Sequence, residues 1–374
     1  MPVVFSHIHL FRKLYLYTTN GMVSHGKPLL DIRKFKSYYI AEVQDTVQSL
    51  YFERPRTEDI YFGPIALIRR STCQAAFFDG DFIAYRDKVT GVLGRPGQED
   101  LLKWLVAYIN SPLARYYHFL TSTSWAVERG TIIHDEYKDM PFLIPSENDP
   151  RLKDVLERFN QIIYLRKQSG SAIMKDVEAE IREHEEAIAR HVFDIYGVSP
   201  IEQQLVQDMV GYGIAFFKWA KQKTREFRGS KSYPVQPPNT QMLVAYAATF
   251  AETVTSLLRY QGQTLNATVY QDGAPLSVVG FELANSADSN SVQVIDNSLR
   301  LREILHKLDR LLLEQQTPTL YMRRHVRIYD GPWLYLVRPS ERRFWTRSLA
   351  RADADSFIAE QLNRSKVEMT GATH

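Results

Sequence analysis

Two short basic segments offer the clearest chemistry in this sequence. Each combines cationic side chains with polar neighbours at the predicted end of a hairpin, where loops usually present functional groups. The residues are Arg69, Arg70, Ser71 and Thr72 in the first segment, and Arg86 and Lys88 in the second. Such groups bind phosphate oxygens, and arginine also matches the acceptor edge of guanine. The pattern predicts DNA contact, and solvated turns without a ligand are the alternative.

A second basic region lies between Thr319 and Arg351. Eight arginines occur there with only two acidic residues, and aromatic residues alternate with them. The arginines that form a possible second basic surface are Arg323, Arg324, Arg327, Arg342 and Arg343. This mixture fits a nucleic-acid backbone with stacked bases. It fits equally well aromatic rings packed inward beneath snorkelling arginines, or a protein interface.

No motif for catalysis or cofactor binding accompanies these segments. The sequence has no glycine-rich phosphate loop, no H-E-x-x-H pair and no G-x-S-x-G nucleophile. Cys73 is the single cysteine, which excludes internal disulfides and a cysteine-based zinc site. His7 and His9 form a pair without a third ligand nearby. We therefore predict no catalytic residue, no metal ion and no cofactor in this chain.

The elements that position the first basic segments are predicted to form a strand-rich domain over residues 1–148. Residues 61–68 (YFGPIALI) and 75–85 (AAFFDGDFIAY) are aromatic and β-branched, with Gly-Pro or Asp-Gly turns, as hairpin strands are. Apolar residues recur at three- and four-residue spacing within residues 100–117, which predicts a helix. Pro112 is expected to break this helix or to start a second one.

Residues 149–211 are predicted to form a long helical connector. Asp149-Pro150 is a typical helix start, and apolar stripes continue on both sides of Ser169-Gly170-Ser171. Ser199-Pro200-Ile201-Glu202 combines the serine cap, the proline and the glutamate of a capping box. We expect amphipathic stripes of this length to offer a second face on which a partner could dock.

Residues 212–374 are predicted to form a C-terminal α/β domain of unknown role. A Pro- and Ser-rich stretch at 229–239 is the candidate linker within it. Helices are expected over residues 241–259, 298–314 and 346–363, with hairpin turns at Asp272-Gly273 and Asp330-Gly331-Pro332.

The composition is that of an ordinary globular protein, with 374 residues of which 44% are hydrophobic and 24% charged. The formal net charge of +3 is too small to identify a partner, so only local charge is informative. No long uncharged apolar run predicts a membrane span, and the first residues lack the pattern of a signal peptide. A single cysteine suits a reducing compartment, and we expect a cytoplasmic protein.

Residues 101–141 contain a distinctive phrase. A helix with an Asn-Ser-Pro break leads into TSTSWAVER (121–129), an acidic helix start and a proline. This order resembles the target-recognition region of large bacterial adenine-specific DNA methyltransferases, including fused restriction–modification enzymes. Residues 188–205 (IARHVFDIYGVSPIEQQL) resemble the Tyr-Gly pair and capped helix that close that region. The resemblance covers residues 50–210, and the first 148 residues are accordingly expected to be a DNA target-recognition domain.

The catalytic half of those enzymes has no counterpart in this sequence. They carry a glycine-rich motif for S-adenosylmethionine and an Asn-Pro-Pro-Tyr-type motif for the flipped adenine, and both are missing. The resemblance therefore implies a specificity subunit that reads double-stranded DNA in trans for a separate methyltransferase subunit, in a restriction–modification or phage-defence system. That partner would bind S-adenosylmethionine and flip the target base.

The TSTSWAVER phrase itself is predicted to be a structural joint rather than a base contact. Trp125 would pack the end of the helix against the sheet, and the hydroxyls of Ser122 and Ser124 would bind turn amides. Arg129 would pair with an acid or a phosphate, and it therefore joins the candidate DNA-binding residues.

The chain as a whole is predicted to be α+β, with a strand-rich DNA-recognition domain, a helical connector and a C-terminal α/β domain with two hairpins. Two other functions stay open. The chain could be a regulatory subunit of a defence complex that reads no DNA. Alternatively, the C-terminal domain could be a nuclease or hydrolase whose acidic residues, such as Asp330 and Asp353, assemble only in the fold.

Overall fold

The computed structural model describes two compact units. The described residues are 25–41, 43, 45–49, 58–86, 88–123, 125, 130–168, 174–214, 237–258, 262–270, 276–285, 291–295, 302–303, 306, 310 and 326–371. Those up to Val210 form the first unit, and those from Gly211 onward form the second. Each unit combines helices with a mixed sheet, so the predicted mixture of α and β structure is confirmed. No helix within these residues has the length and apolar character needed to cross a bilayer.

The sheet of the first unit has four strands in the order β1–β3–β2–β4. They are β1 (Tyr38–Tyr39), β2 (Ile65–Arg69), β3 (Gln74–Phe78) and β4 (Val89–Leu93). β2 runs antiparallel to β3 and β4, whereas β1 runs parallel to β3. The centre of β2 is buried on both faces, which is why its sequence is a continuous apolar run. Strand β3 ends at Phe78, immediately before the Asp79-Gly80 pair that was predicted to interrupt residues 75–85.

Six helices accompany this sheet in the described part of the first unit. They are α1 (Glu99–Asn110), α2 (Pro112–Thr121), α3 (His134–Lys138), α4 (Pro150–Gln168), α5 (Met174–Ile195) and α6 (Pro200–Asp208). Pro112 starts α2, and the Ser111 hydroxyl caps it by accepting from the Ala114 amide at 3.2 Å. The predicted capping box of α6 is also formed by Ser199 and Glu202.

Helices α4 and α5, which cover most of the predicted connector, contribute to the core of the first unit. The Phe159 ring of α4 lies 5.6 Å from the Tyr38 ring and 6.4 Å from the Phe77 ring, centroid to centroid. Tyr196, just after α5, stacks on Tyr108 of α1 at 4.8 Å. The amphipathic stripes therefore bury one face against α1 and the sheet.

The second unit is built on a five-stranded sheet in the order β7–β5–β6–β9–β8. The strands are β5 (Thr264–Tyr270), β6 (Leu276–Ala284), β7 (Val292–Ile295), β8 (Val326–Asp330) and β9 (Trp333–Pro339). Helices α7 (Thr240–Leu258) and α8 (Arg347–Gly371) pack on one face around Phe250, Phe281 and Trp345. The antiparallel pairs β5–β6 and β8–β9 correspond to the two predicted hairpins.

Several predicted features fall outside the described residues. These are His7 and His9, most of the candidate linker at 229–239, and most of the helix predicted over residues 298–314.

Candidate nucleic-acid interface

The fold brings the two predicted basic segments to the same end of the first sheet. Arg69 ends β2, where it is paired with Val89 of β4. One residue further along, the Arg70 amide donates to the Lys88 carbonyl at 3.1 Å. Arg86 and Lys88 are exposed, whereas Arg69 and Arg70 are half-buried. Four cationic residues from two separate parts of the chain therefore lie at one sheet end through their main-chain pairing.

The turn from Arg70 to Cys73 is held in place through its main chain. The Ser71 carbonyl accepts from the indole Nε1 of Trp125 at 3.3 Å. The Arg70 carbonyl accepts from the Ile132 amide at 3.1 Å. Trp125 is only 1% exposed, so its indole packs behind the turn and supports it from the inside.

The hydroxyl of Thr72 is engaged in a hydrogen bond within the first unit. It donates to the Gln74 side-chain oxygen at 2.6 Å, and the Gln74 amide donates in turn to Ser37 at 3.0 Å. Thr72 is thus engaged within the sheet, while Ser71 is half-buried at the turn. The arginines and Lys88 remain the principal candidate contacts at this end of the sheet.

A single carboxylate organises the TSTSW segment behind the turn. Glu136 accepts from the Ser122 hydroxyl at 2.9 Å, the Thr123 amide at 3.0 Å and the Ile133 amide at 2.8 Å. Burial acts to raise the pKa of Glu136, but these hydrogen bonds together keep that pKa below its ordinary value. The carboxylate is therefore ionised at neutral pH and stabilises both the segment and the start of α3.

The predicted structural joint is confirmed for two of its residues. Trp125 is buried between the β2–β3 turn and the helical segment, and its amide donates to the Ser122 hydroxyl at 3.3 Å. Ser124 and Arg129 lie outside the described residues. Glu136 was not singled out in the sequence, since an acid near a helix start is common and its partners are brought together only by the fold.

A buried histidine lies near the same joint. His118 of α2 is fully buried, and its ring centroid is 4.7 Å from that of Tyr137 in an edge-to-face arrangement. Neither ring nitrogen of His118 has a hydrogen-bond partner among the residues that the structure describes. Burial lowers the pKa of His118 to about 4, so the ring is neutral at neutral pH. This environment fits packing rather than proton transfer near pH 7.

A groove of about 560 Å³ adjoins the exposed cations of the interface. Its lining consists of Leu29, Leu30, Asp31, Ile32, Arg33, Asp45, Arg86, Lys88 and Val89. The Arg33 guanidinium donates to Asp31 from Nε at 3.0 Å and from Nη2 at 2.8 Å, and it holds the pKa of that carboxyl below its usual range. Arg86 and Lys88 form no ion pair within the part of the chain that the structure describes.

The possible second basic surface is largely occupied by contacts inside the second unit. Arg338 is 2% exposed, and its Nη2 lies 2.5 Å from Oδ2 of Asp353, which also accepts from the Tyr246 hydroxyl at 2.5 Å. Arg327 donates from Nη1 to Glu360 at 2.7 Å. These arginines tie the β8–β9 hairpin to α8.

The remaining described arginines of this surface also have partners. Arg343 donates to Glu341 at 2.7 Å, and Arg342 donates to the Pro237 carbonyl at 3.3 Å. Trp345 and Tyr335 are buried. Of the three sequence interpretations, inward-packed aromatic rings surrounded by arginines agrees with this geometry. Arg323 and Arg324 lie outside the described residues.

Within the described residues, no three His, Cys, Asp or Glu side chains are grouped so that they could hold a metal ion. Asp353 is committed to its buried ion pair, and Asp330 ends strand β8.

Comparison with known proteins yields no relative: no family model, curated protein or solved structure matches this chain.

Proposed function

We propose that this chain binds double-stranded DNA at the basic end of its first sheet and supplies sequence specificity in trans to a separate adenine DNA methyltransferase. The observation that carries the proposal is the convergence of Arg69, Arg70, Arg86 and Lys88 beside an internally supported turn. Cations fixed on a sheet can bind phosphates on a duplex, and arginine can also read guanine.

The role that we propose for the partner subunit is based on the resemblance of residues 101–141 and 188–205 to target-recognition regions. The methyltransferase subunit binds S-adenosylmethionine, flips the adenine and forms the new bond. This chain positions the duplex, within a cytoplasmic restriction–modification or phage-defence system. Ile201 and Leu205 lie one turn apart on α6 and are 59% and 42% exposed, which supports this helix as part of the docking surface for that subunit.

Duplex binding is tested by fluorescence anisotropy of the purified chain over a range of salt concentrations. We expect Arg69→Ala/Arg70→Ala to weaken binding by about tenfold or more, and to reduce the salt slope by about two if both contact phosphate. Arg182→Ala/Arg190→Ala removes the same charge from exposed positions on α5 and serves as the matched control. Equal affinities for the two double variants would remove Arg69 and Arg70 from the interface.

The role in trans is tested by methylation assays with the protein encoded beside this chain. We expect sequence-specific adenine methylation only when both proteins are present. S-Adenosylmethionine binding by this chain alone would contradict the proposal. Absence of duplex binding even beside the neighbouring protein would favour the regulatory alternative.

A further inference from the structure

The groove next to Arg86 has a mixed charge that a simple phosphate site would not have. Asp31 and Asp45 lie in its lining together with Arg33, Arg86 and Lys88. Two carboxylates repel a phosphate group, which at neutral pH offers them few or no hydrogen-bond donors. A ligand that suits this lining must present acceptors to the cations and a donor to a carboxylate.

The groups in the groove are not equally available to a ligand. Arg33 is committed to Asp31 through its forked contact. Asp45 accepts from Lys34 at 3.1 Å, but its side chain is 43% exposed and it keeps further acceptor positions. An exposed ion pair of this kind contributes little stability and can be exchanged readily. Arg86 is exposed and forms no ion pair with other described residues, so its planar fork of N–H groups is available.

The groove offers apolar surface beside its charged groups. Its volume of about 560 Å³ lies in the usual range of ligand pockets. Leu29 and Val89 contribute aliphatic surface next to the charged side chains. Such surface excludes water from the hydrogen bonds around it and so strengthens them.

We propose that this groove reads the major-groove edge of a G·C base pair, which rests on the proposed duplex binding. Arg86 donates two hydrogen bonds to O6 and N7 of guanine, and Asp45 accepts one from the N4 amino group of cytosine. Lys88, at the rim, contacts a backbone phosphate. Arg86 and Asp45 are then specificity-determining residues, whereas Lys88 contributes affinity for every sequence.

The proposal is tested by selecting bound duplexes from a randomised library and sequencing them. We expect the wild-type motif to contain a G·C position that is preferred about 10- to 100-fold. Arg86→Ala and Asp45→Asn should abolish that preference at this position alone. Arg86→Gln combined with Asp45→Asn should shift the preference towards A·T, because the glutamine carboxamide matches N6 and N7 of adenine and the asparagine amide can donate to O4 of thymine.

Lys88→Ala is the matched control, since it removes a neighbouring exposed cation of the same groove. We expect Lys88→Ala to weaken the affinity for all duplex sequences equally and to reduce the salt slope of binding by about one. A wild-type preference that survives Arg86→Ala and Asp45→Asn would overturn the inference and leave duplex binding intact. If the wild-type chain retains no duplex at all, the proposed function itself fails.

A guanine edge could also come from a free nucleotide, and a calorimetric titration with guanosine monophosphate separates the two sources. Nucleotide binding that is lost in Arg86→Ala, in a chain that shows no G·C preference on duplexes, would assign the groove to a free nucleotide and overturn base-pair reading. Absence of both duplex preference and nucleotide binding would overturn the inference.

Discussion

His118 shows how strongly a residue's surroundings can change its chemistry. In the sequence it is one of ten histidines on a chain with no metal or catalytic motif. In the fold it is fully buried against Tyr137, with no hydrogen bond to either ring nitrogen among the described residues. A buried neutral imidazole of this kind couples folding to pH.

We predict that acid destabilises the first unit through this residue. The pKa of His118 is about 4 in the folded chain and about 6.5 when it is unfolded. Between these values the unfolded state binds more protons, so the free energy of unfolding falls as pH drops from 6.5 to 4. The loss is on the order of 3 kcal/mol. Urea denaturation of wild type and His118→Phe at pH 7 and pH 4.5 measures it.

His118→Phe keeps an aromatic ring at this position but cannot be protonated, so its stability should change less over this range. His25→Phe, at an exposed position, is the control and should follow wild type. Parallel pH profiles for wild type and His118→Phe would count against a role for His118.

Local sequence signals account for the elements that were predicted well. The starts of α2, α4 and α6 each carry a proline in the first turn next to a capping residue, and these signals act within a few residues. Strand β4 was not predicted, because residues 89–93 are short and contain Gly91. A Cβ on Gly91 would lie 2.1 Å from the Tyr85 hydroxyl, so a glycine is needed here because of a tertiary contact and not because of the local sequence.

The same distinction applies to the candidate site. Arg69, Arg70, Arg86 and Lys88 could be chosen from the sequence because basic residues at hairpin ends are a local pattern. That these four residues lie at the same sheet end could not be predicted from the sequence, since it depends on the pairing register of β2 with β4. The groove acids Asp31 and Asp45 were missed for the same reason.

We predict that Glu136 holds the joint behind the β2–β3 turn. Glu136→Gln replaces a charged acceptor by an amide that can satisfy fewer of its donors, so we expect a loss of about 1–3 kcal/mol in unfolding free energy. Duplex affinity should fall while the salt slope stays unchanged, because no phosphate contact is removed. Chemical denaturation and anisotropy measure these effects.

Asp135→Asn is the neighbouring control, since Asp135 is 70% exposed and pairs only with Lys138 among the described residues. It should leave both stability and duplex binding close to wild type. A Glu136→Gln chain as stable as this control would show that the joint does not depend on the carboxylate.

At the scale of the whole molecule, each unit has a hydrophobic core of its own. The first core surrounds Ile65, Leu67 and Ile83, and the second surrounds Phe250 and Phe281. Separate cores are the mark of parts that can fold and unfold individually. The proposed DNA contacts all belong to the first unit, while the described arginines of the second unit mostly hold that unit together.

We therefore predict that damage to the second core leaves duplex binding unchanged. Asp353→Ala leaves the buried charge of Arg338 without its acidic partner. This change should lower the unfolding free energy of the second unit by about 3–5 kcal/mol. Calorimetry should show two thermal transitions, of which only one moves to lower temperature. Asp355→Ala, at an exposed position two residues away, is the control. A simultaneous loss of duplex affinity would show that the second unit takes part in binding.

The attachment of the β2–β3 turn has a consequence for how such a protein can change over generations. Its anchors are the carbonyl oxygens of Arg70 and Ser71, which accept from Ile132 and Trp125. Every amino acid has the same main-chain carbonyl oxygen, so substitutions at 69, 71 and 72 keep these two hydrogen bonds. Changes in the proposed DNA contacts at the turn would therefore leave the scaffold underneath unchanged.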